Sequence, residues 1–207
     1  MKSYGLIQDQ DEVDRLFSIF FDFVSVLVDI PESDREHCRQ LFKPIAVKQN
    51  TLLETAGTVH QYHNFIVSGH MRNFYRDDNQ REITTDISDG PRFFTSYYHF
   101  MQQSVSHEYL HCITDCELLR ISHDDVAVAA QIGITIKEFS EKILQHYLES
   151  SKQRAIDLTT LTGKERYLKL IHHHPSIIQH VPLVYIASYL GLNAGSLSRI
   201  RQALASD

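Results

Sequence analysis

The sequence of 207 residues is poor in cysteine, with only Cys38, Cys112 and Cys116. Three thiols cannot all pair within one chain, and the Cys-x-x-Cys spacing of many zinc sites is absent. A cluster of iron and sulfur needs about four cysteine ligands, so this sequence does not favour one. We therefore expect free thiols in a reducing cytoplasm, no bound metal and no cofactor.

Long apolar runs are also missing. No stretch approaches the ~20 residues that a membrane-spanning helix needs. The most apolar segment, residues 17–30, is interrupted by Asp22, Ser25 and Asp29, and we expect it to form a buried helix. The basic segment, apolar run and small-residue cleavage site of a secretory signal are not found at the N-terminus. These features predict a cytoplasmic protein with no membrane partner.

Catalytic motifs are absent as well. The sequence contains no nucleophile-base pattern, no phosphate-binding glycine loop and no metal-hydrolase helix, so we expect no catalytic residues and no enzyme activity. Its thirteen histidines leave one alternative open, a cupin-like jelly-roll metalloenzyme using His60, His63 and His111. Such a site would need a His-x-His pair, a glutamate and a further histidine around one barrel mouth, and this combination is not found. A third alternative is a protein-interaction module with a degenerate DNA-binding motif.

Charge is distributed unevenly along the chain. The net charge is −6, but residues 151–207 contain seven lysines and arginines against three acidic residues, which makes this end +4 and the remainder −10. An acidic body with a basic end is typical of a regulator whose nucleic-acid-binding module is segregated.

The first two thirds of the chain change from helical to strand periodicity. Residues 9–30 keep the 3.6-residue period of an amphipathic helix that Pro31 should end, and Ser33 or Asp34 should cap a second helix ending near Phe42. Short β-prone runs separated by turn residues then predict a sandwich or barrel. The predicted strands are residues 45–47, 51–53, 62–67, 71–75, 82–87, 107–113 and 117–121.

A long helix is predicted over residues 135–160, after a break at Gly133 and a shorter helix that begins at a capping box in residues 122–125. Phe139, Ile143 and Tyr147 form its inward stripe. A second stripe has heptad spacing and no partner within the helix, so the helix either lies on its own jelly roll or pairs with a second copy. This stripe consists of Leu144, Leu148, Ser151, Ala155 and Leu158.

The C-terminal residues have the pattern of a helix-turn-helix. A capping box in residues 162–165 should begin a first helix with Tyr167, Leu168 and Ile171 towards its core, ended by Pro175. Pro182 suits the start of the next helix, Gly191 suits its left-handed end, and Asn193 can cap a last helix buried through Leu197, Ile200 and Leu204. Two short helices joined by a turn with glycine, the second rich in serine and arginine, predict a DNA-binding motif.

These segments resemble the Crp/Fnr transcription regulators, and most of all the branch common in Bacteroidetes-type bacteria. The resemblance rests on residues 166–201, which include Tyr-Ile-Ala-Ser-Tyr-Leu-Gly and Leu-Ser-Arg-Ile-Arg, and on residues 65–72, which are similar to the apolar-Gly-x-x-Arg hairpin of the cyclic-nucleotide-binding jelly roll. Residues 48–57 resemble the opening turn of the same fold. The resemblance thus covers about residues 40 to 204.

The resemblance implies an α+β fold in three parts: a jelly-roll sensor over residues 1–133, a dimerisation helix over 134–160 and a helix-turn-helix domain over 161–207. Its implied partners are double-stranded DNA, a second copy in a homodimer, and RNA polymerase. Winged members continue into a β-hairpin after the last helix, but this sequence has three residues after Leu204, so a wing either precedes the motif or is absent.

The resemblance also assigns residues to DNA binding. The base-facing positions fall on Ala194, Gly195 and Arg199, and only Arg199 has a polar side chain, suited to a bidentate contact with guanine. Phosphate contacts are expected from Ser196, Ser198 and Arg201, with Asn193 at the start of the helix.

Cyclic-nucleotide binding is not expected. Family members that bind these ligands hold the ribose with a Gly-Glu motif and the phosphate with a later arginine. Here the glutamate is missing, and Ser106 or His107 stands in place of the arginine, so cAMP should not bind. The nearby aromatic residues Phe93, Phe94, Tyr97, Tyr98 and Phe100 either fill the pocket or line it for an apolar effector. Candidate effector contacts are Arg92, Phe94, Thr95, Ser106 and His107.

Overall fold

The computed structural model describes residues 4–132 and 134–206. The break expected at Gly133 lies outside these residues. The described strands are β1 Tyr4–Leu6, β2 Lys43–Val47, β3 Thr51–Glu54, β4 Thr58–Val59, β5 Tyr62–Ser68, β6 Met71–Arg76, β7 Glu82–Ser88, β8 Arg92–Phe94, β9 Val105–Ser106, β10 Tyr109–Cys112 and β11 Cys116–Ser122. The described helices are α1 Gln10–Ser25, α2 Glu32–Leu41, α3 Tyr97–Gln102, α4 His123–Ile132, α5 Ile134–Thr160, α6 Gly163–His173, α7 Pro175–His180, α8 Leu183–Tyr189 and α9 Ala194–Ser206.

The strands form the predicted jelly roll. Its larger sheets have the strand orders β1-β2-β11-β5-β8 and β3-β10-β6-β7, and β4 pairs with β9. Every pairing is antiparallel. Side chains that point between the two larger sheets form one core, which includes Ile66 and Phe94 from the first sheet and Met71 and Leu110 from the second.

Helices cover the other face of the five-stranded sheet. Because neighbouring residues of a strand point to opposite faces, Phe65 and Phe93 leave the jelly-roll interior and pack against α1 and α5. Phe20 of α1 lies between them, with ring centres 5.1 Å and 6.1 Å away. This aromatic layer joins the N-terminal helices to the long helix α5.

Several predicted boundaries were wrong near the N-terminus. Helix α1 ends at Ser25, well before Pro31, because the chain turns there and brings Val28 and Ile30 into the core. Pro31 is the N-cap of α2, and no side chain caps that helix. Asp34, one of the two residues expected to cap it, is buried within its first turn.

The strand predictions erred where strands are very short. The predicted strand 107–113 is shorter in the structure: β10 begins only at Tyr109, after the Glu108 N–H donates a hydrogen bond to Ser106 Oγ, and it ends at Cys112. Strands β1, β4, β8 and β9 and helix α3 were not predicted. With two or three residues in each strand, there is too little alternation to detect.

The C-terminal helices follow the predicted cap chemistry. Thr162 and Glu165 form the reciprocal capping box of α6. Two details differ: Leu168 is 42% exposed while Leu170 is buried, and Pro175 begins α7 at its first position as well as ending α6. Residues 161–206 are all described and contain no strand, so a wing is not present within them.

Candidate nucleic-acid interface

The turn between α8 and α9 has the geometry that the sequence predicts. Gly191 has φ of +67°, and the Leu192 N–H donates to the Ala187 carbonyl at 2.8 Å, which ends α8 tightly. Asn193 Oδ1 accepts a hydrogen bond from the Ser196 N–H at 2.8 Å and caps α9. The Asn193 side chain is thereby committed to positioning the last helix.

Helix α9 leaves one face buried and one face free. Within this helix, the Leu197 side chain is fully buried and those of Ser196 and Ser198 are half-buried. The side chains of Arg199 and Arg201 are exposed. Among the described residues, no carboxylate lies within ion-pair distance of either arginine, and Arg199 donates a long hydrogen bond of 3.4 Å to Ser196 Oγ. Both cations are therefore available to an anionic partner.

Arg166 is part of the support of this helix. Its Nε donates to the Leu190 carbonyl at 2.9 Å and its Nη1 to the Leu161 carbonyl at 2.5 Å. These bonds hold the end of α8 against the junction of α5 and α6. The Arg166 guanidinium is therefore engaged within the domain, unlike the exposed side chains of Arg199 and Arg201.

The same domain packs on the four-stranded sheet of the jelly roll. Ser188 of α8 accepts a hydrogen bond from the Thr84 N–H at 2.9 Å, and Arg154 of α5 donates to the carbonyls of Thr84 at 3.3 Å and Tyr189 at 2.9 Å. Strand β7 is an edge strand of its sheet, so its free backbone groups are partly satisfied by the helix-turn-helix. No pattern in the sequence indicates this contact, because Thr84 and Ser188 lie about a hundred positions apart.

Histidines line a second part of the contact between the domains. His70 Nε2 lies 2.9 Å from Ser176 Oγ, and the His70 and His180 rings stack with centres 5.0 Å apart. His174 Nδ1 lies 3.2 Å from Asp89 Oδ1. Burial alone would raise the pKa of Asp89, but His174, a backbone hydrogen bond and His70 together outweigh it, and the pKa lies below its ordinary value.

A carboxylate occupies the part of the jelly roll where the resemblance places a phosphate site. Glu108 accepts hydrogen bonds from Ser96 Oγ at 2.5 Å and from Thr85 Oγ1 at 2.6 Å, while its own N–H donates to Ser106 Oγ. Ser106 and Ser96 are almost fully buried. An anionic ligand here would meet a negative charge where binding requires a positive one.

The five candidate effector residues do not form one pocket. Arg92 pairs with Asp86, with N–O distances of 2.8 Å and 3.4 Å, and Phe94 lies in the jelly-roll core. The Thr95 hydroxyl donates to the Tyr62 carbonyl, and His107 is exposed beside Tyr75. Of the five, only Ser106 takes part in the Glu108 cluster.

The jelly-roll interior also contains buried polar groups that the sequence did not identify as a set. The Asn64 and Asn73 side chains donate to the consecutive carbonyls of Phe94 and Thr95, at 3.4 Å and 3.1 Å. Within the described part of the chain, their side-chain oxygens have no hydrogen-bond partner.

The histidines of the alternative metal site lie apart. His63 Nε2 contacts the Tyr147 hydroxyl at 3.3 Å, and His111 Nδ1 accepts a hydrogen bond from Arg72 Nε at 3.1 Å. His60 is fully buried, and burial lowers its pKa although Glu108 favours the charged ring. Across residues 4–132 and 134–206, no three side chains of His, Cys, Asp or Glu are grouped as metal ligands would be.

The two stripes of α5 differ in burial as predicted. Phe139, Ile143 and Tyr147 join the aromatic layer over the five-stranded sheet. The heptad stripe is exposed throughout, and Leu148 is 62% accessible. Ile156, which is not part of the predicted stripe, is 40% exposed on the same helix. No helix in the described residues is both long and apolar enough to cross a membrane.

Comparison with known proteins gives matches at the level of structure. No protein-family model matches the sequence, and no curated protein matches it significantly. The c-di-GMP-responsive global regulator CLP from Xanthomonas campestris is 17% identical with a TM-score of 0.65, covering 86% of this chain and 93% of CLP. FixK2 from Bradyrhizobium japonicum is 14% identical with a TM-score of 0.69, covering 80% of this chain and 85% of FixK2.

A third match is a protein from Eubacterium rectale assigned to the Crp/Fnr family of transcriptional regulators. It is 14% identical with a TM-score of 0.66, and the match covers 86% of this chain and 85% of that one. At such identities the comparisons show a shared fold: this chain has the fold of Crp/Fnr regulators over most of its length. The branch within the family stays a prediction.

Proposed function

We propose that this protein is a transcription regulator of Crp/Fnr type, which binds double-stranded DNA as a homodimer and is not an enzyme. The observation that carries the proposal is the capped helix α9, which exposes Arg199 and Arg201 on a basic domain with their charges unpaired among the described residues. A helix-turn-helix places the N-terminal part of its second helix in the major groove.

Arg199 is the proposed base contact. It is exposed one turn into α9, beyond Ala194 and Gly195, which offer no polar side chain. A planar guanidinium suits a bidentate contact with guanine. Ser196, Ser198, Arg201 and the amides at the start of the helix are proposed phosphate contacts, since serine hydroxyls and helix N-termini commonly bind phosphate oxygens.

The homodimer is proposed from α5. A helix of 27 residues that exposes leucines at heptad spacing buries them most simply against a second copy. A dimer with two-fold symmetry would present two copies of α9 to the two half-sites of an operator. RNA polymerase is the further partner that the family resemblance implies.

Selection from a randomised operator pool tests DNA binding. The wild type should enrich a palindromic site. Arg199→Ala should lose roughly 1–3 kcal/mol of binding free energy at that site and relax the preference at one base position. Arg201→Ala is the matched variant on the same helix. This variant should weaken binding to all DNA sequences similarly. It should also lower the slope of log affinity against log salt concentration by about one.

Two results would contradict these assignments. If the base preference of Arg199→Ala equals that of the wild type, Arg199 is not the base contact. If the wild type enriches no sequence and binds no duplex at moderate salt, a protein-interaction module with a degenerate helix-turn-helix becomes the better hypothesis.

A further inference from the structure

A cavity lies outside the jelly roll, between the five-stranded sheet and the helices that cover it. Its volume is about 90 Å³, and its walls come from α1 to α5 and from strands β5, β8 and β11. It is on the opposite face of the sheet from Phe94 and the jelly-roll core, so it is separate from the Glu108 cluster. The residues that line it include Cys38, Phe93, Phe100, Ala129, Ile136 and Phe139.

The lining is almost entirely apolar, and two of its few polar side chains are hydrogen-bonded to neighbouring groups. Ser140 Oγ donates to the Ile136 carbonyl at 2.9 Å, and His63 Nε2 contacts the Tyr147 hydroxyl. Burial lowers the pKa of His63 to about 3, so its ring is uncharged near neutral pH. A buried charged or strongly polar guest would lose its hydration here and find few polar partners in return.

An apolar guest would lose little hydration here and would gain contacts with the lining. Protein interiors are close-packed, and a void leaves its lining without van der Waals partners. Apolar cavities stay free of water and take up apolar molecules, and an engineered cavity of roughly 150 Å³ binds benzene or xenon. We propose that this cavity is a binding site for a small, uncharged and apolar molecule of up to about the size of a single aromatic ring.

The position of the site suggests its effect on the protein. Ile136, Phe139 and Ile143 of α5 form one wall, and the other face of this helix carries the exposed heptad stripe. Further along α5, Arg154 bonds to Thr84 and Tyr189, where the helix-turn-helix meets the sensor. A guest that pins the start of α5 would favour one arrangement of this helix. That coupling rests on the proposed function, whereas the binding itself does not.

Binding is tested on the full chain with xenon, benzene and benzoate as probes. Methyl NMR should show shifts at Ile136 and Ile143 with xenon and benzene, while Ile45 and Leu118 of the jelly-roll core stay unchanged. Benzene should also raise the midpoint of thermal unfolding. Benzoate should cause neither the methyl shifts nor the higher midpoint, because of its charge. Absence of shifts at Ile136 and Ile143 with both apolar probes would overturn the proposal, and so would shifts confined to the jelly-roll core.

Cavity-filling variants provide the matched test. Ala129→Leu from α4 and Cys38→Met from α2 fill the site from two sides, so either can serve if the other fails to fold. Each should weaken benzene binding at least tenfold, whereas Ala130→Leu, exposed on the same helix as Ala129, should bind as the wild type does. Equal affinity in the filled variants would overturn the proposal.

DNA affinity is measured separately with and without benzene. A change of at least twofold that disappears in Ala129→Leu supports coupling through α5, and an unchanged affinity contradicts it. If the protein binds benzene but no DNA, the cavity site stands and the proposed function fails.

Discussion

The guanidinium carbon of Arg72 lies 3.4 Å from the centre of the Tyr185 ring. Arg72 belongs to the jelly-roll strand β6 and Tyr185 to α8, the first helix of the helix-turn-helix. The same guanidinium bonds to Glu82 and lies 4.0 Å from the centre of the Phe74 ring. One almost fully buried cation therefore connects the jelly-roll sheet to the helix that precedes α9.

Removing the Tyr185 ring should loosen this connection. Tyr185→Ala is expected to cost about 2 kcal/mol or more of unfolding free energy, because a desolvated cation-π contact is lost. Hydrogen exchange should increase in β7 and α8, while Tyr185→Phe should change little because stacking requires only the ring. Val184→Ala, on a side chain that is 56% exposed on the same helix, is the control. Equal exchange in Tyr185→Ala and Val184→Ala would contradict the connection.

The exposed stripe of α5 predicts a change of assembly. Leu148→Glu combined with Leu158→Glu should convert the dimer to a monomer, because carboxylates would be forced into an apolar contact. Light scattering should show the molecular mass halved. Leu168→Glu, at an exposed leucine of α6 outside the stripe, should leave the dimer intact. An unchanged mass in the double variant would exclude this seam, and a monomeric wild type would exclude the dimer.

Cyclic nucleotides should not bind. The carboxylate of Glu108 occupies the site with Ser96 and Ser106, and Arg92 is already paired with Asp86. Calorimetry with cAMP and cGMP should detect no binding in the wild type. The same result is expected for Glu108→Gln, because removing the anion supplies no cation to the phosphate. Micromolar affinity in the wild type would show this explanation to be wrong.

Two buried histidines make stability depend on pH. Burial lowers the pKa of His63 to about 3, and burial together with Arg72 lowers the pKa of His111 to about 4. In the unfolded chain these rings titrate near pH ~6.5. Below that pH the unfolded state binds protons that the folded state does not, so stability falls as pH falls towards the folded pKa values. Each of the two rings should lower the free energy of unfolding by about 2 kcal/mol between roughly pH 7 and pH 5.

Urea unfolding of His63→Phe measures this dependence. The variant keeps a ring beside Phe93 but loses the hydrogen bond to Tyr147, so it should be less stable at neutral pH. Its loss of stability on acidification should nevertheless be smaller than that of the wild type, by about 2 kcal/mol. The exposed His173→Gln should keep the wild-type slope. If His63→Phe also keeps that slope, His63 is not buried as a neutral ring.

Local features were determined by the sequence itself. The left-handed Gly191, the Asn193 cap and the capping box of Thr162 and Glu165 depend on atoms within a few residues of each other. Helical periodicity likewise separates the buried stripe of α5 from its exposed one. The helix-turn-helix and the long helix could therefore be predicted from short-range rules, as could the arginines that α9 exposes.

Only the tertiary structure decided how distant residues meet. Phe93 and Phe94 are adjacent in the chain, but the place of β8 in its sheet sends one to the aromatic layer and the other to the jelly-roll core. Glu108 accepts hydrogen bonds from Ser96 and Thr85, which are 12 and 23 residues away. The Arg72 guanidinium lies over the ring of Tyr185 on another domain. Such pairs depend on strand register and on how two domains pack. Periodicity and cap chemistry do not encode either, because they act over a few residues.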